Sequence, residues 1–252
     1  MLDVIIVKTH FSAHLRQDIP IGARRIARLL SERIRRMKTH PEKNRPMTSR
    51  RDPVITVCQG EGDIQGKDDK ILQAGIEYLH RLGGCVLHIL PGEYTMRNAL
   101  HMRPGVHIRG SGPATTLKKA PSVVASLIQD SDWFEARVRV DNPEGFSAGG
   151  GVMLRAYYDA GTFRMMVVRD TITAIEGDTL SLSRRLEHNM WPSLQATAST
   201  LFPLITAEYV NDITIENLVL DGNREHNEEI NGNYAGGVFI QHCDRYTFRN
   251  VI

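Results

Sequence analysis

The segment Ile213-Thr214-Ile215-Glu216-Asn217-Leu218 recurs 33 residues later as Tyr246-Thr247-Phe248-Arg249-Asn250-Val251. In both copies a β-branched or aromatic residue alternates with a polar one, and an asparagine falls at the same place. Alternation with period two marks a half-buried strand. Self-similarity at a period of this size marks an architecture in which each repeat buries its apolar face on its neighbours. Equivalent strands then lie one above another, roughly 4.8 Å apart. Asparagines at equivalent corners of such a stack hydrogen-bond as a ladder, and Asn217 over Asn250 is the pair this spacing predicts. Val238-Phe239-Ile240 reads as a further strand between the two repeats.

Upstream, Ile71, Leu72, Gly75, Tyr78, Leu79 and Leu82 form one apolar face of a helix about fifteen residues long. Asp68 and Asp69 open it, because carboxylates there accept from the free first-turn N–H groups and oppose the positive end of the helix dipole. Gly83-Gly84 supplies the positive-φ stop. Cys85 to Leu90 then reads as a buried strand, Pro91-Gly92 as a turn, and Val106-His107-Ile108 as a second strand ended by Gly110-Ser111-Gly112. Val54 to Val57 is a plausible edge strand.

These segments carry a family pattern: DD-x-x-L-Q-x-G-I, then GG-x-V-x-x-x-L-P-G-x-Y, then L-x-x-x-x-G-V-x-I-x-G-x-G-P-x-x-T. The pattern resembles the N-terminal part of right-handed parallel β-helix proteins of the pectate-lyase-like superfamily, in its rhamnogalacturonase/epimerase-type branch. The resemblance implies an all-β chain built as a single-stranded solenoid. An N-terminal α-helix would cap its first coil; the run of short strands within 121–208 adds a small antiparallel β-subdomain inserted between coils. The resemblance also implies a secreted or cell-surface setting. The expected organisation is a basic extension and linker over 1–52, the cap and first coils over 53–120, the inserted subdomain over 121–208 and further coils over 209–252. Only 40 residues follow Asp212, room for two coils at most, so the sequence reads as the N-terminal portion of a longer protein. In the resembling enzymes the catalytic residues lie on middle coils. The apolar strand at the end leaves an edge ready for self-association.

Charge divides the chain. Residues 1–52 hold 13 Lys/Arg against 5 Asp/Glu, a net of +8, while the whole chain carries +2. Gly22 to Met37 places Ile26, Leu29, Leu30, Ile34 and Met37 on one helical face with six arginines elsewhere. Such a helix suits an anionic membrane or nucleic acid; the plainer alternative is a solvated or partner-covered extension, with no nucleic-acid partner expected. His40 to Arg51 reads as a linker, and the family pattern begins only after Met47. No apolar run approaches the ~20 residues needed to span a bilayer. Cys58, Cys85 and Cys243 are odd in number and far apart, so they read as buried thiols. Gly60, Gly62 and Gly66 match neither phosphate-loop spacing.

Within 121–208, Ala136 to Val140, Val152 to Ala156, Met165 to Val168, Thr171 to Ile175 and Thr179 to Leu182 read as short strands, with Glu176-Gly177-Asp178 as a hairpin turn. Trp133, Tyr157, Tyr158, Phe163 and Trp191 are candidates for a sugar-stacking platform or for ordinary packing.

The densest polar chemistry lies between Gly222 and Gly237 and just beyond. Asp221, Asn223, Arg224, His226, Asn231, His242 and Asp244 are the candidate substrate-binding residues, and Asp221, Glu225 and Glu228 are a candidate oxygen-ligand set for calcium. Carboxylates and amides gathered above a sheet can bind sugar hydroxyls, hold calcium, or serve as general acid and base. Spacing selects none of these: His226 stands where a calcium loop needs glycine, and no paired-aspartate hydrolase signature occurs. No catalytic residue is assigned. The resemblance implies action on an acidic polysaccharide by β-elimination or hydrolysis. The alternative is a non-catalytic glycan-binding β-helix of phage tailspike-like or adhesin type.

Overall fold

The structure is a computed structural model, and it describes residues 54–159, 164–228 and 236–252. The basic segment Gly22 to Met37, the linker to Arg51, and Phe163 and Asn231 lie outside the described residues. In chain order the strands and helix are β1 (Val54–Cys58), β2 (Ile64–Gln65), α1 (Asp69–Arg81), β3 (Cys85–Ile89), β4 (Gly92–Met96), β5 (Leu100–His101), β6 (Val106–Arg109) and β7 (Thr115–Lys119). There follow β8 (Val124–Ser126), β9 (Arg137–Arg139), β10 (Gly151–Tyr157), β11 (Met165–Glu176), β12 (Thr179–Leu182) and β13 (Thr197–Thr200). The last are β14 (Ile205–Glu208), β15 (Ile213–Asp221), β16 (Val238–Gln241) and β17 (Tyr246–Val251). The fold is all-β with α1 as the one α-helix among the described residues, and it combines curled parallel sheets with an antiparallel one.

Parallel pairing organises three faces around one core. On the first face β1, β3, β6, β15 and β17 stack in parallel, with Leu87, Ile108, Ile215 and Phe248 in one register column. On the second, β4 and β7 stack with the far half of β15, aligning Tyr94, Leu117 and Leu220. On the third, β5, β14 and β16 align Leu100, Ile205 and Val238. From β3 onward the parallel strands fall on the first, second and third faces in that order. Side chains on the inner rows, among them Leu87, Ile108, Ile215, Leu117, Leu100 and Ile205, are fully buried. Each such aliphatic chain contributes roughly 1.5–3 kcal/mol relative to exposure. Tyr94 is buried among them because its hydroxyl reaches the carbonyls of Val57 and Leu90, at 3.2 and 3.0 Å.

The corner before the first face has a backbone requirement that repeats before β3, β6, β15 and β17. Gly84, Gly105, Asp212 and Arg245 each precede a strand of that face, and all have positive φ, at 95, 75, 60 and 57°. At Gly84 only glycine fits, since a Cβ there would stand 2.4 Å from the Gly105 carbonyl oxygen, while a Cβ on Gly105 would meet Gly84 Cα at a tight 3.2 Å. At the later levels Asp212 and Arg245 take the left-handed conformation and form an ion pair with each other. The corner in the middle of β15 behaves alike, with Asn217 and Asn250 at φ 56 and 51°.

The 33-residue offset is written into side chains as well as register. Asn250 Nδ2 donates to Asn217 Oδ1 at 3.0 Å, the ladder expected from the sequence. Arg249 pairs with Glu216, the Asp244 amide donates to Asn211 Oδ1, and the His242 ring stacks on Tyr209 at 4.8 Å, all 33 residues apart.

Helix α1 is capped by Asp68, whose carboxylate accepts from the amides of Lys70 and Ile71. The face it buries differs from the expected one: Leu72, Gly75, Ile76 and Leu79 are inside, while Tyr78 and Leu82 are exposed. Gly75 is the point of closest approach, where a Cβ would meet Leu87 at 2.7 Å, and this contact rotates the helix away from the Tyr78 side.

Between β7 and β14 the chain forms a six-stranded antiparallel sheet in the order β8-β13-β10-β11-β12-β9, with its own core that includes Val138, Val152, Leu154, Ile172 and Leu180. Two of its strands, β8 and β13, carry no alternation strong enough to read in sequence. The two segments expected over 165–175 are one strand, β11, with a register shift between Ile172 and Ala174 where it pairs with β12.

Gly83 and Gly84 separate two effects. Both have left-handed φ, but a Cβ on Gly83 meets nothing within 4 Å. Gly83→Ala is expected to cost about 1–2 kcal/mol from backbone conformation alone. Gly84→Ala should cost at least ~2 kcal/mol more, a further fall of roughly 4–8 °C in Tm for a chain of this size. Equal shifts in thermal unfolding would show that the approach to Gly105 is not limiting.

Candidate functional site

The polar segment after β15 is fastened down by its own side chains. Asp221 Oδ1 accepts from the Asn223 amide at 2.8 Å, closing a turn that places Asn223 at φ 49°. Asn223 Nδ2 donates to the Lys119 carbonyl at 3.0 Å, and its Oδ1 lies 2.9 Å from His226 Nδ1. Asn227 donates to the carbonyls of Ala120 and Asn223 and accepts from the Ser122 hydroxyl. Glu228 takes both carboxylate oxygens to Arg155 on β10, at 2.6 and 2.7 Å. These amides and carboxylates therefore act as ties from the loop to the end of β7 and to the antiparallel sheet.

Two of the three candidate calcium ligands are engaged elsewhere in this arrangement. Glu228 is turned onto Arg155, Asp221 is engaged in its turn, and among the described residues no three His, Cys, Asp or Glu side chains gather to hold a metal ion. The expected substrate-binding residues are also divided. Asp221, Asn223, Arg224 and His226 precede β16, whereas His242 and Asp244 follow it, at the opposite end of that strand. There His242 is stacked on Tyr209 and the Asp244 amide is bonded to Asn211.

A cleft of about 520 Å³ opens instead against the outer side of the third parallel face. Its floor is the outward register row His101, Thr206 and Phe239, on β5, β14 and β16. The facing wall comes from β11 around Arg169 and Asp170 and from the segment after β12 that carries Ser183, Arg184, Arg185 and Glu187. Asn98 joins the two sides, donating from Nδ2 to the Gly149 carbonyl at 3.0 Å.

Asp170 fixes the geometry of that wall. Its side chain is 2% exposed, and it accepts from the Thr171 amide at 2.7 Å, the Arg184 amide at 3.0 Å and the Ser183 hydroxyl. A carboxylate taken out of water needs this many donors to remain acceptable as an anion. Arg184 also donates to the Arg169 carbonyl, so the loop is held against β11 by backbone and side chain together. Arg184 and Arg185 are exposed at the cleft. Counting every charged side chain that lines it, the cleft sets Arg169, Arg184 and Arg185 against Asp170 and Glu187, an excess of one positive charge, and Arg184 is itself paired with Asp170 at 3.8 Å. That excess favours a ligand carrying negative charge.

Sequence reading missed these residues. The Arg169-Asp170 pair interrupting a strand and the Arg184-Arg185 pair just after one were the available signals, but their convergence depends on pairing between segments far apart in the chain.

No protein-family model matches the sequence, and no curated protein does. Among solved structures, the chain is similar to the tailspike gp61 of Pseudomonas phage phi297, with a TM-score of 0.33 and 11% identity, over 69% of this chain and 31% of that one. It is similar to the gp54 tailspike of Acinetobacter baumannii bacteriophage AP22, solved with a capsular saccharide, with a TM-score of 0.30 and 12% identity, over 70% of this chain and 33% of that one. A glycoside hydrolase gives a TM-score of 0.27 and 10% identity, over 66% and 50% of the two chains. The chain thus spans about a third of the length of these two tailspikes.

Behind the cleft wall, Lys119 is 6% exposed, with its ammonium 4.8 Å from the centre of the Phe202 ring. Burial lowers its pKa from 10.5 to about 8. Because the folded value lies below the unfolded one, the stabilising contribution is complete above pH 10.5 and is lost as pH falls through about 8. Relative to Lys119→Met, the unsubstituted chain should gain about 3 kcal/mol between these limits and show a constant difference below pH 7. Denaturant unfolding of both proteins across pH 7 to 11 measures this, and parallel pH profiles would contradict it.

Proposed function

We propose that the chain forms the first coils of a right-handed parallel β-helix with a helical cap and an inserted antiparallel subdomain, and that it engages an acidic polysaccharide. The repeated order of three parallel faces, the left-handed corners in register and the 33-residue side-chain ladders support the solenoid reading. The right-handed crossover is the sense that parallel strand connections nearly always take. The observation that carries the functional reading is the cleft over the third face, where Arg184 and Arg185 stand on a loop held by Asp170. Planar guanidinium groups suit carboxylates, which they bind through paired hydrogen bonds. Phe239 and Thr206 on the floor supply the apolar and hydroxyl contacts that a sugar ring requires.

A second reading, a glycan binder without catalysis, is favoured by the state of the carboxylates. Hydrolysis with two carboxyl groups needs both to face the glycosidic bond at a separation of roughly 5–9 Å. Asp170 is surrounded by its own donors, which leaves Glu187 as the cleft's other carboxylate. Binding is therefore the activity this reading assigns to the described cleft.

The 252-residue chain is expected to be retarded in gels containing polygalacturonate or alginate at low ionic strength, with retardation falling as salt rises. Replacing Arg184 and Arg185 together by alanine should weaken the interaction about tenfold or more, equivalent to ~1.4 kcal/mol. Asp170→Asn should weaken it too, by releasing the loop. Assays for unsaturated and reducing ends on the same mixtures separate lyase, hydrolase and binder. Retardation unaffected by the double substitution, or absent for every acidic polysaccharide, would refute the cleft as the site.

A further inference from the structure

On the antiparallel part of the molecule, Trp133 and Phe134 stand exposed side by side, 57% and 65% accessible, with ring centres 5.6 Å apart and planes tilted by 40°. Exposed aromatic pairs are common on mobile loops, but this pair is held on a rigid turn. The Trp133 amide donates to Asn189 Oδ1 at 2.8 Å, and the Phe134 amide donates to the Leu186 carbonyl at 3.0 Å. Ser131 and Met190 exchange backbone hydrogen bonds, and Trp191 Nε1 donates to Asp132 Oδ1 at 2.7 Å. Phe134 moreover has φ 74°, a conformation costly for a bulky residue. A glycine there would remove the strain. The fold thus contains a stiff support that holds two rings out in water at a conformational cost.

We propose that Trp133 and Phe134 form a stacking subsite for an uncharged hexopyranose unit, separate from the arginine-lined cleft. Sugar rings with equatorial hydroxyls present flat C–H faces, and an aromatic face covers these while leaving the hydroxyls at the rim. Exposed Asp130, together with Asp132 and Glu135, supplies acceptors at that rim. The same carboxylates disfavour an anionic unit. The size of the patch also selects the occupant. The bordering segment 183–191 contributes no large exposed apolar side chain, and Ile128, 48% exposed, is a further apolar residue in the segment leading to the pair, so the apolar surface here is small. A protein partner needs roughly 600–800 Å² on each side, far more than two rings offer. The pair differs from the set expected in sequence: Trp133 contacts Phe134, Tyr158 lies under the Arg164 guanidinium at 5.6 Å, and Trp191 is tied back to Asp132.

The test is calorimetric titration of the full chain with cellohexaose and β-1,4-mannohexaose at about 0.05 M and about 0.5 M NaCl. We expect saturable binding to one of them that salt does not weaken. Affinity should fall about tenfold or more in Trp133→Ala and in Phe134→Gly, and stay unchanged when Arg184 and Arg185 are both replaced by alanine. Phe134→Gly should melt at the same or a higher temperature, because it relieves the left-handed strain. Absence of heat with both oligosaccharides, an equal loss in the arginine variant, or a lower melting temperature for Phe134→Gly would each overturn the proposal. Failure here leaves acidic-polysaccharide retardation intact, and failure of the cleft leaves this titration intact.

Discussion

Stacking of the levels from β3 onward on the first parallel face depends on a turn made at the same place and in the same left-handed conformation before β3, β6, β15 and β17. Backbone hydrogen bonding between parallel strands fixes the rise between levels, so any corner that protrudes along the stack would separate the strands beside it. Glycine satisfies this at Gly84 and Gly105, where one level's backbone lies directly on the next. Asp212 and Arg245 satisfy it with opposite charges at 2.5 Å. Hydrogen bonding to the Arg245 guanidinium holds the Asp212 carboxyl below its ordinary pKa, so the pair stays ionised across ordinary pH. Both partners are about two-thirds exposed, so solvent screening leaves the pair little weight in stability. Its larger consequence is for register, because a slip of one residue separates this pair, the asparagine ladder and the Glu216 contacts together.

Glu216 shows how the levels are joined beyond the backbone. Its two oxygens accept from Arg109 below and Arg249 above, at 2.7 and 3.2 Å, while its own side chain is only 12% exposed. One carboxylate thus spans three levels separated by 107 and 33 residues in the chain. The unequal separations reflect the antiparallel sheet, which leaves the stack between β7 and β14 and returns without disturbing the inner columns.

What could be read from the sequence follows from how local each signal is. The helix with its Asp68 cap, the Gly83-Gly84 stop and the Asn217–Asn250 ladder rest on short patterns or on one fixed offset, and the chain displays these directly. The buried face of α1 was misplaced because Tyr78 and Ile76 are both apolar, and only the contact between Gly75 and Leu87 decides between them. The polar loop invited a ligand-binding interpretation because side chains that bind sugars or metals are the same types that tie a loop to backbone carbonyls. Asn223 and Asn227 do the second. Nothing local distinguishes the two uses.

The cleft was illegible for a related reason, since its residues come from six segments brought together only by the point at which the antiparallel sheet departs. Leaving after the second face and rejoining at the third, the insertion places β11 and the 183–187 segment over the outward row of His101, Thr206 and Phe239. Departure at another corner would have set the same arginines over a different face. Position of insertion therefore does what a sequence motif does elsewhere: it creates a site from residues that individually look like ordinary surface. Asp170 is the exception, because a carboxylate in mid-strand that becomes buried has to be met by donors. Those donors, from Thr171, Ser183 and Arg184, are the ones that draw the arginine loop into place.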